Sequence, residues 1–542
     1  MGELVKNQLH TVTIEGYGND GMGIARIDGR VVFVHNALRG EKCEILILKV
    51  LKSVAFAKVQ KILETSSERV TPDCPYFPRC GGCTYRHMSY DEELRLKRQR
   101  VQDALTRIGG SDVVVEEILG GADTVRYRNK AQYPVGAGGA VGFYRARTHE
   151  VIECESCLLL KPEAEAAAEA LRRYLTKYAV SGYDEKSGRG LLRHLYVRSN
   201  TKGESLVCVL VNADALPHEQ ELVAMLREAC PKTVGIVLGT NTMRNNVILG
   251  DRYRTLWGKD RLEDTLCGLS FRLSVSSFYQ VNHTQCQRLY AKAIEFAQLT
   301  GKETVLDLYC GVGTITLAMA KSAGKVIGAE IVPEAIEDAK DNAVRNGIEN
   351  AEFFCGDASK IAAKLSHENL RPDVVTVDPP RKGLSEDVVT TIAQMAPKCV
   401  VYVSCDPATL ARDVKRFADN GYTAVRACAV DMFPRADHVE TVVLLSKGEI
   451  DSKRIRVEFP LDDMEITSFR EKATYPQIKE YVLEQTGLKV SSLYISQIKR
   501  KCGLDVGESY NKPKSEDARV PQCALEKEKA IMDALRHFGM IS

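Results

Sequence analysis

Between residues 304 and 446, short β-branched apolar runs alternate with stretches of helical period, and few folds accept that order. Strands joined by helices close as a sheet of mainly parallel strands with helices on both faces, so this segment predicts a doubly wound α/β domain. Its expected strands are Thr304–Leu308, Lys325–Glu330, a third ending before Asp357, Val374–Val377, 400–403 and 439–445. Ligands of open α/β sheets bind outside the carboxyl ends of the strands.

That edge carries acidic residues. Asp307, Glu330, Asp357 and Asp378 each fall at or near a strand's carboxyl end. A single one would be read as a helix cap, but several on one edge make a site for a positively charged, adenosine-bearing ligand. S-adenosylmethionine is the simplest such molecule. The turn Asp307-Leu308-Tyr309-Cys310-Gly311-Val312-Gly313-Thr314 lets a ligand approach the backbone, yet it lacks the third glycine of a dinucleotide fingerprint and the lysine of a phosphate loop. Glu330 stands at the spacing of a carboxylate that grips ribose hydroxyls.

On the same edge lies Cys405, where the run 400–403 stops at Ser404-Cys405-Asp406-Pro407 and a helix over 408–417 follows. Alone, such a cysteine would count as a small buried hydrophobe. Its position instead exposes the thiol to whatever the edge binds.

The other segments have separate tasks. Residues 1–66 alternate apolar and polar positions between glycine turns, which predicts a small antiparallel barrel of the oligonucleotide-binding kind. Residues 67–276 form a central α/β segment, 277–448 the doubly wound domain, and 449–542 an appendage with two short helices about Thr486-Gly487-Leu488 after an acidic, proline-containing linker over 458–465. The total of 74 Lys and Arg against 72 Asp and Glu neither favours nor excludes nucleic acid, so any basic face must be local. One candidate is the stretch 126–147, where Arg126, Arg128, Lys130, Arg145 and Arg147 interleave with Tyr127, Tyr133, Phe143 and Tyr144 around a glycine-rich turn. Cations for phosphates and aromatic faces for unstacked bases suit single-stranded RNA. Arg95, Lys97, Arg98 and Arg100 are expected to extend this positive face.

The chain has 17 cysteines, no apolar leader and no run of membrane-spanning length, which points to a reducing, cytoplasmic setting. There, clustered cysteines imply metal or catalysis. Cys74, Cys80 and Cys83 lie in a Pro- and Gly-rich loop able to wrap soft ligands around one centre. The fourth ligand is Cys157, with Cys154 as the other candidate. Spacing does not separate zinc from an iron-sulfur cluster.

Several of these stretches carry a family resemblance. Gly16-Tyr17-Gly18, 21–25 and 32–34 resemble a TRAM domain. Phe278-Tyr279-Gln280-Val281-Asn282, the glycine turn, Asp378-Pro379-Pro380-Arg381, 404–413 and His438-Val439-Glu440 resemble the RNA (uracil-5-)-methyltransferase family, of the type that methylates 23S ribosomal RNA. The resemblance implies a [4Fe-4S] cluster on Cys74, Cys80, Cys83 and Cys157. It implies S-adenosylmethionine contacts from Gln280, Tyr309, Glu330 and Asp378, to which Thr314 and Asp357 are added from their places on the edge. It further implies Cys405 as nucleophile and Glu440 as base, with Asp378 also touching the base, in a monomer acting on RNA. Transfer RNA is the alternative substrate. A radical enzyme using its cluster is disfavoured by the cysteine spacing, and a noncatalytic RNA-binding protein would leave Cys405 and Glu440 without a task.

Overall fold

The computed structural model describes residues 4–447, 475–502, 523–538 and 540. They fall in two units, Met1–Ile455 and Arg456–Ser542.

At the start of the first unit, six strands wrap one core that includes Val12, Ile14, Val32, Val34, Ile45 and Ala57. Their order is Leu9–Thr13, Lys42–Val50, Val54–Glu64, Arg30–His35, Gly23–Ile27, Gly16–Tyr17. Pairing is antiparallel except between Arg30–His35 and Val54–Glu64, which run parallel. Buried Glu41 anchors this module to the following loop through an ion pair with Arg69 at 2.5 Å.

The central segment forms a five-stranded sheet in the order Arg252–Gly258, Thr233–Thr240, Ser205–Val211, Leu192–Ser199, Lys130–Pro134. Helices Pro162–Tyr178 and Glu219–Ala229 share its core. The glycine-rich turn forms as expected, with the Gly136 N–H donating to the Ala140 carbonyl and Val135 bridging Val141.

The doubly wound sheet has eight strands. In spatial order they are Ala351–Cys355, Lys325–Glu330, Thr304–Leu308, Val374–Val377, Cys399–Ser404, Glu440–Ser446, Thr423–Val430 and Val115–Leu119. Only Glu440–Ser446 runs antiparallel to its neighbours. One face is covered by helices including His283–Ala297 and Thr314–Ala320, the other by Tyr90–Arg107, Glu386–Met395 and Pro407–Asp419. The strand order places the ends of Thr304–Leu308 and Val374–Val377 side by side and sets the start of Glu440–Ser446 beside the end of Cys399–Ser404.

Two features depart from the sequence expectation. Val115–Leu119, within the central segment, is the last strand of this large sheet and runs parallel to Thr423–Val430. The basic residues of Tyr90–Arg107 do not form a positive face. Lys97 is fully buried between Glu93 and Asp431, each at 2.7 Å, Arg98 and Arg100 donate to main-chain carbonyls, and Arg95 pairs with Glu68 and Glu92. Charged side chains with partners distant in the chain carry no periodic signal, so they read as solvated when they are not.

The second unit packs helices Tyr475–Thr486, Ser492–Lys501 and Leu525–His537 around Ile478, Val482, Ile495, Ile498, Ile531 and Leu535. The first two helices and the turn at Gly487, with φ 68°, match the sequence expectation; the third helix goes beyond it. The linker over 458–465 lies outside the described residues. Among the described residues, no helix is long and apolar enough to cross a membrane.

Removing Lys97 alone would leave Glu93 and Asp431 buried without their cation. Lys97→Met is therefore expected to lower unfolding stability by about 3–5 kcal/mol. Denaturant unfolding followed by far-ultraviolet circular dichroism checks it, and a loss of under about 1 kcal/mol would place this network among pairs of surface strength.

Candidate functional site

The strand ends surround one cavity of about 1060 Å³ that continues from the acidic edge past Phe278 and Lys130 to the cysteine loop. Its floor is the glycine turn. Tyr309, Gly311 and Gly313 adopt φ of 71°, 55° and 83°, a left-handed path that exposes main-chain N–H groups at the start of Thr314–Ala320. Tyr309 lacks the freedom of glycine there, so its conformation is held by the hydrogen bonds of its own and Cys310's N–H to the Ala329 carbonyl.

Glu330 ends its strand with one carboxylate oxygen accepting from the Gly311 N–H at 3.2 Å and the other from Ile331 and Val332 at 2.8 and 3.0 Å. Asp357 caps Ala358–His367 by accepting from Ser359 and Lys360 and also lines the cavity. It is thus a cap and a wall at once. Thr314 shares a hydroxyl hydrogen bond of 2.8 Å with Tyr290. Gln280 is buried and lines the cavity, while its carbonyl accepts from Asn129.

The reactive end holds Asp378, Cys405 and Glu440 along the same wall. Burial pushes Asp378 up to about 7. Burial and the Asp378 carboxylate push Glu440 up to about 8, opposed by Arg381. Burial, with Glu440 and Asp378, drives the Cys405 thiol up to about 11, while Arg381 pulls it down. Such a pair of shielded carboxylates shares protons rather than ionising independently. Deeper still, Asp307 is fully buried, receives a hydrogen bond from Thr316 on one oxygen, and leaves Oδ1 without a partner. A cationic ligand on this edge would favour ionisation of these carboxyl groups, which burial otherwise opposes.

Three residues that lie within the motifs without a role of their own join this end. Arg381 donates to His438 Nε2 at 3.2 Å; since guanidinium cannot accept, that imidazole nitrogen is unprotonated. Burial lowers the His438 pKa, in keeping with a neutral ring. Phe278, 65% exposed, presents its ring at the cavity. Their signal in the sequence was their adjacency to Asp378, Glu440 and Gln280.

Cys74, Cys80, Cys83, Cys154 and Cys157 line the far end of the cavity. Burial raises the thiol pKa of Cys80, Cys83 and Cys157, and the sulfurs raise one another's further. Among the described residues, no three His, Cys, Asp or Glu side chains lie close enough to hold a single metal ion. Cys80 accepts from the Gly82 N–H and Cys83 from Arg86 Nε, each at 3.4 Å, and the main-chain N–H groups of Leu159 and Leu160 face Cys157. Cys154 instead donates its thiol to the Ser156 carbonyl. Of the basic stretch, Arg126 pairs with Glu165 and Arg145 with Glu150, whereas Arg128 and Lys130 have no acidic partner among the described residues and line the cavity.

Comparison with known proteins gives consistent matches. The sequence profile of the tRNA (Uracil-5-)-methyltransferase family matches residues 258–448, and that of the TRAM domain matches residues 6–60. An uncharacterized RNA methyltransferase of Clostridium acetobutylicum is 44% identical over 449 residues, 82% of this chain and 98% of that protein. One from Halalkalibacterium halodurans is 44% identical over 445 residues, 81% of this chain and 97% of that protein. The solved structure of Pyrococcus abyssi tRNA (uracil-54, C5)-methyltransferase with S-adenosyl-L-homocysteine is 27% identical, with a TM-score of 0.65, covering 80% of this chain and 100% of that one.

The buried carboxylates set a pH dependence. Burial lifts Asp307 from its ordinary 3.8 to about 8, so between those values the folded state holds a proton that the unfolded state has lost. This contribution to stability is whole below about pH 4, falls as pH rises and is gone above about pH 8. Asp307→Asn is expected to be more stable than the wild type at pH 8.5, in the absence of ligand, by more than at pH 4. An equal difference at both pH values in unfolding experiments would contradict the burial account.

Proposed function

The chain belongs to the tRNA (uracil-5-)-methyltransferase family and is an S-adenosylmethionine-dependent RNA (uracil-5-)-methyltransferase, and from that premise we propose that it methylates C5 of a uridine in 23S ribosomal RNA through a covalent adduct on Cys405. The observation that carries this reading is the convergence of Cys405, Glu440 and Asp378 on one cavity wall.

Uracil C5 is a weak nucleophile. Addition of the Cys405 thiolate to C6 converts the ring to an enolate whose C5 can accept a methyl group, which splits one hard step into two. Arg381, the cation that acts on both Cys405 and Glu440, stabilises the thiolate. S-adenosylmethionine, when bound, supplies an electrophilic methyl group on a cationic sulfur. Gln280, Tyr309, Thr314, Glu330, Asp357 and Asp378, which all line the cavity, would hold it. Glu440 then takes the C5 proton. The C–H electrons form the C5–C6 double bond, and the C6–sulfur bond breaks to release Cys405. The target must leave its stack to enter, and Phe278 at the cavity offers a ring for it to pack against.

For the cysteine loop we infer a [4Fe-4S] cluster on Cys74, Cys80, Cys83 and Cys157. Soft thiols gathered at one end of a cavity are the ligand type that such a centre takes. N–H groups directed at Cys80, Cys83 and Cys157 favour those sulfurs as ligands, and the thiol donated by Cys154 argues against it. Its contribution there would be to tie the loop 74–83 to residue 157.

Ribosomal RNA is favoured by the joint presence of the amino-terminal barrel and the cysteine loop, on which the resemblance to ribosomal-RNA enzymes rests. Transfer RNA is the second reading, favoured by the likeness to the Pyrococcus abyssi enzyme, itself named as acting on uracil-54 of tRNA. In either case the protein is taken to act as a cytoplasmic monomer, with Arg128 and Lys130 meeting RNA phosphates.

Methyl transfer to 23S ribosomal RNA and to bulk tRNA, assayed side by side, decides the substrate. Cys405→Ala is expected to abolish methylation of the preferred RNA, and Glu440→Gln to slow turnover about 10²–10⁴-fold, the range for loss of a general base. Methylation by Cys405→Ala at the wild-type rate would exclude the covalent route. Cys157→Ala is expected to lose iron and Cys154→Ala to keep it, by metal analysis of anaerobically purified protein; the reverse pattern would reassign the fourth ligand.

A further inference from the structure

The run 432–437 leads directly to His438 and Glu440, and its main-chain carbonyls are held by residues from several other parts of the first unit. The Met432 carbonyl accepts from Asn282 Nδ2 at 3.2 Å, Phe433 from Lys97 Nζ at 3.1 Å, and Pro434 from the Tyr127 hydroxyl at 3.0 Å. The Arg435 carbonyl accepts from the main-chain N–H groups of Thr84 and Tyr85, at 2.8 and 3.1 Å. The Asp437 carbonyl accepts from Arg100. The Arg435 N–H donates to buried Glu93 at 2.7 Å.

This run has no regular structure of its own, and Arg435 adopts φ 72°, unfavourable for a residue with a Cβ. Its path is set by these partners together with one turn, in which the Ala436 N–H donates to the Phe433 carbonyl at 3.0 Å. Thr84 and Tyr85 directly follow Cys83 in sequence, so whatever binds Cys83 fixes the donors that hold Arg435. On the other side, Phe433, Ala436 and Asp437 line the cavity, and the Phe433 ring stands edge-on to His438 at 5.7 Å. A mechanical connection thus joins the cysteine loop to the carboxylate at the reacting base. It reaches Glu440 and bypasses Cys405, which comes from a different strand.

Resting on the reading of Cys405 as nucleophile and Glu440 as base, we propose that the run 432–437 is a strap through which the cysteine loop positions Glu440. Ligation of Cys83 governs breakdown of the methylated adduct and leaves its formation intact. When the loop loses its ligand, the strap loosens, Glu440 no longer meets the C5 proton, and the C6–sulfur bond of the methylated adduct persists. Residues of the strap are positioning residues: they act through Glu440.

The test uses the full chain with unmodified substrate RNA and S-adenosylmethionine, comparing wild type, Cys83→Ser, Tyr127→Phe and Glu440→Gln. Tyr127→Phe removes the donor to Pro434 and leaves the cysteines in place. Two quantities are read: the lifetime of the denaturation-resistant protein–RNA adduct, and amide hydrogen exchange over 432–440 with 304–314 as the internal reference. Both Cys83→Ser and Tyr127→Phe are expected to lengthen the adduct lifetime about tenfold or more, the effect of roughly 1.4 kcal/mol on the elimination barrier. Exchange is expected to rise over 432–440 only. Should Cys83→Ser fail to fold or form no adduct, Tyr127→Phe decides alone. Wild-type exchange and adduct lifetime in Tyr127→Phe, or equal slowing of adduct formation and breakdown, would overturn the strap. Absence of a retained adduct in Glu440→Gln would overturn the assignment of the base and the strap with it.

Discussion

Carboxyl groups held above their ordinary pKa at one sheet edge are the constraint on which the rest of the site depends. Asp307, Asp378 and Glu440 are brought there by strand order, and each is held above its ordinary pKa by burial, with Asp378 also raising Glu440. Among the described residues Asp307 Oδ1 has no hydrogen-bond partner, and the guanidinium of Arg381 opposes the shift at Glu440. A protein that retains such a cost gains from it only when a positive charge arrives. Burial, with Glu440 and Asp378, holds the Cys405 thiol above its ordinary pKa against the pull of Arg381, so the thiol and the carboxyl groups are coupled through electrostatics.

The large sheet does not stand alone. Helix Tyr90–Arg107 and strand Val115–Leu119 add a layer and an edge to it, and the buried Lys97, Glu93 and Asp431 form the joint. A single-partner deletion in such a network is severe because the remaining charge cannot regain water. The joint lies beside the strap before Glu440, so the amino-terminal half of the chain shapes the reactive end as well as lining the RNA-facing cavity.

Much of this was legible in the sequence. The period of the runs over 304–446 predicted the doubly wound sheet, and of the residues at its edge Glu330, Asp357, Asp378, Cys405 and Glu440 line one cavity, whereas Asp307 is fully buried and does not. The cysteines 74, 80, 83 and 157 line that same cavity, though spacing alone left their ligand undetermined. What escaped was non-local. Val115–Leu119 is a brief run with two glutamates, and its partner lies some three hundred residues away. Lys97 looked like a solvated helix charge because Asp431 is 334 positions distant. Arg381 and His438 sat within recognisable motifs, but only their mutual hydrogen bond reveals the neutral imidazole. The third helix of the second unit, Leu525–His537, follows a long stretch without pattern and so had no context.

The most direct test of the covalent account is mass spectrometry of the protein trapped with substrate RNA bearing 5-fluorouridine in the presence of S-adenosylmethionine. Fluorine at C5 cannot leave as a proton, so the adduct should accumulate. The account predicts a nucleotide-bearing, methylated adduct on the peptide containing Cys405. An adduct on another cysteine, or methyl transfer to the RNA with no trapped protein, would contradict it.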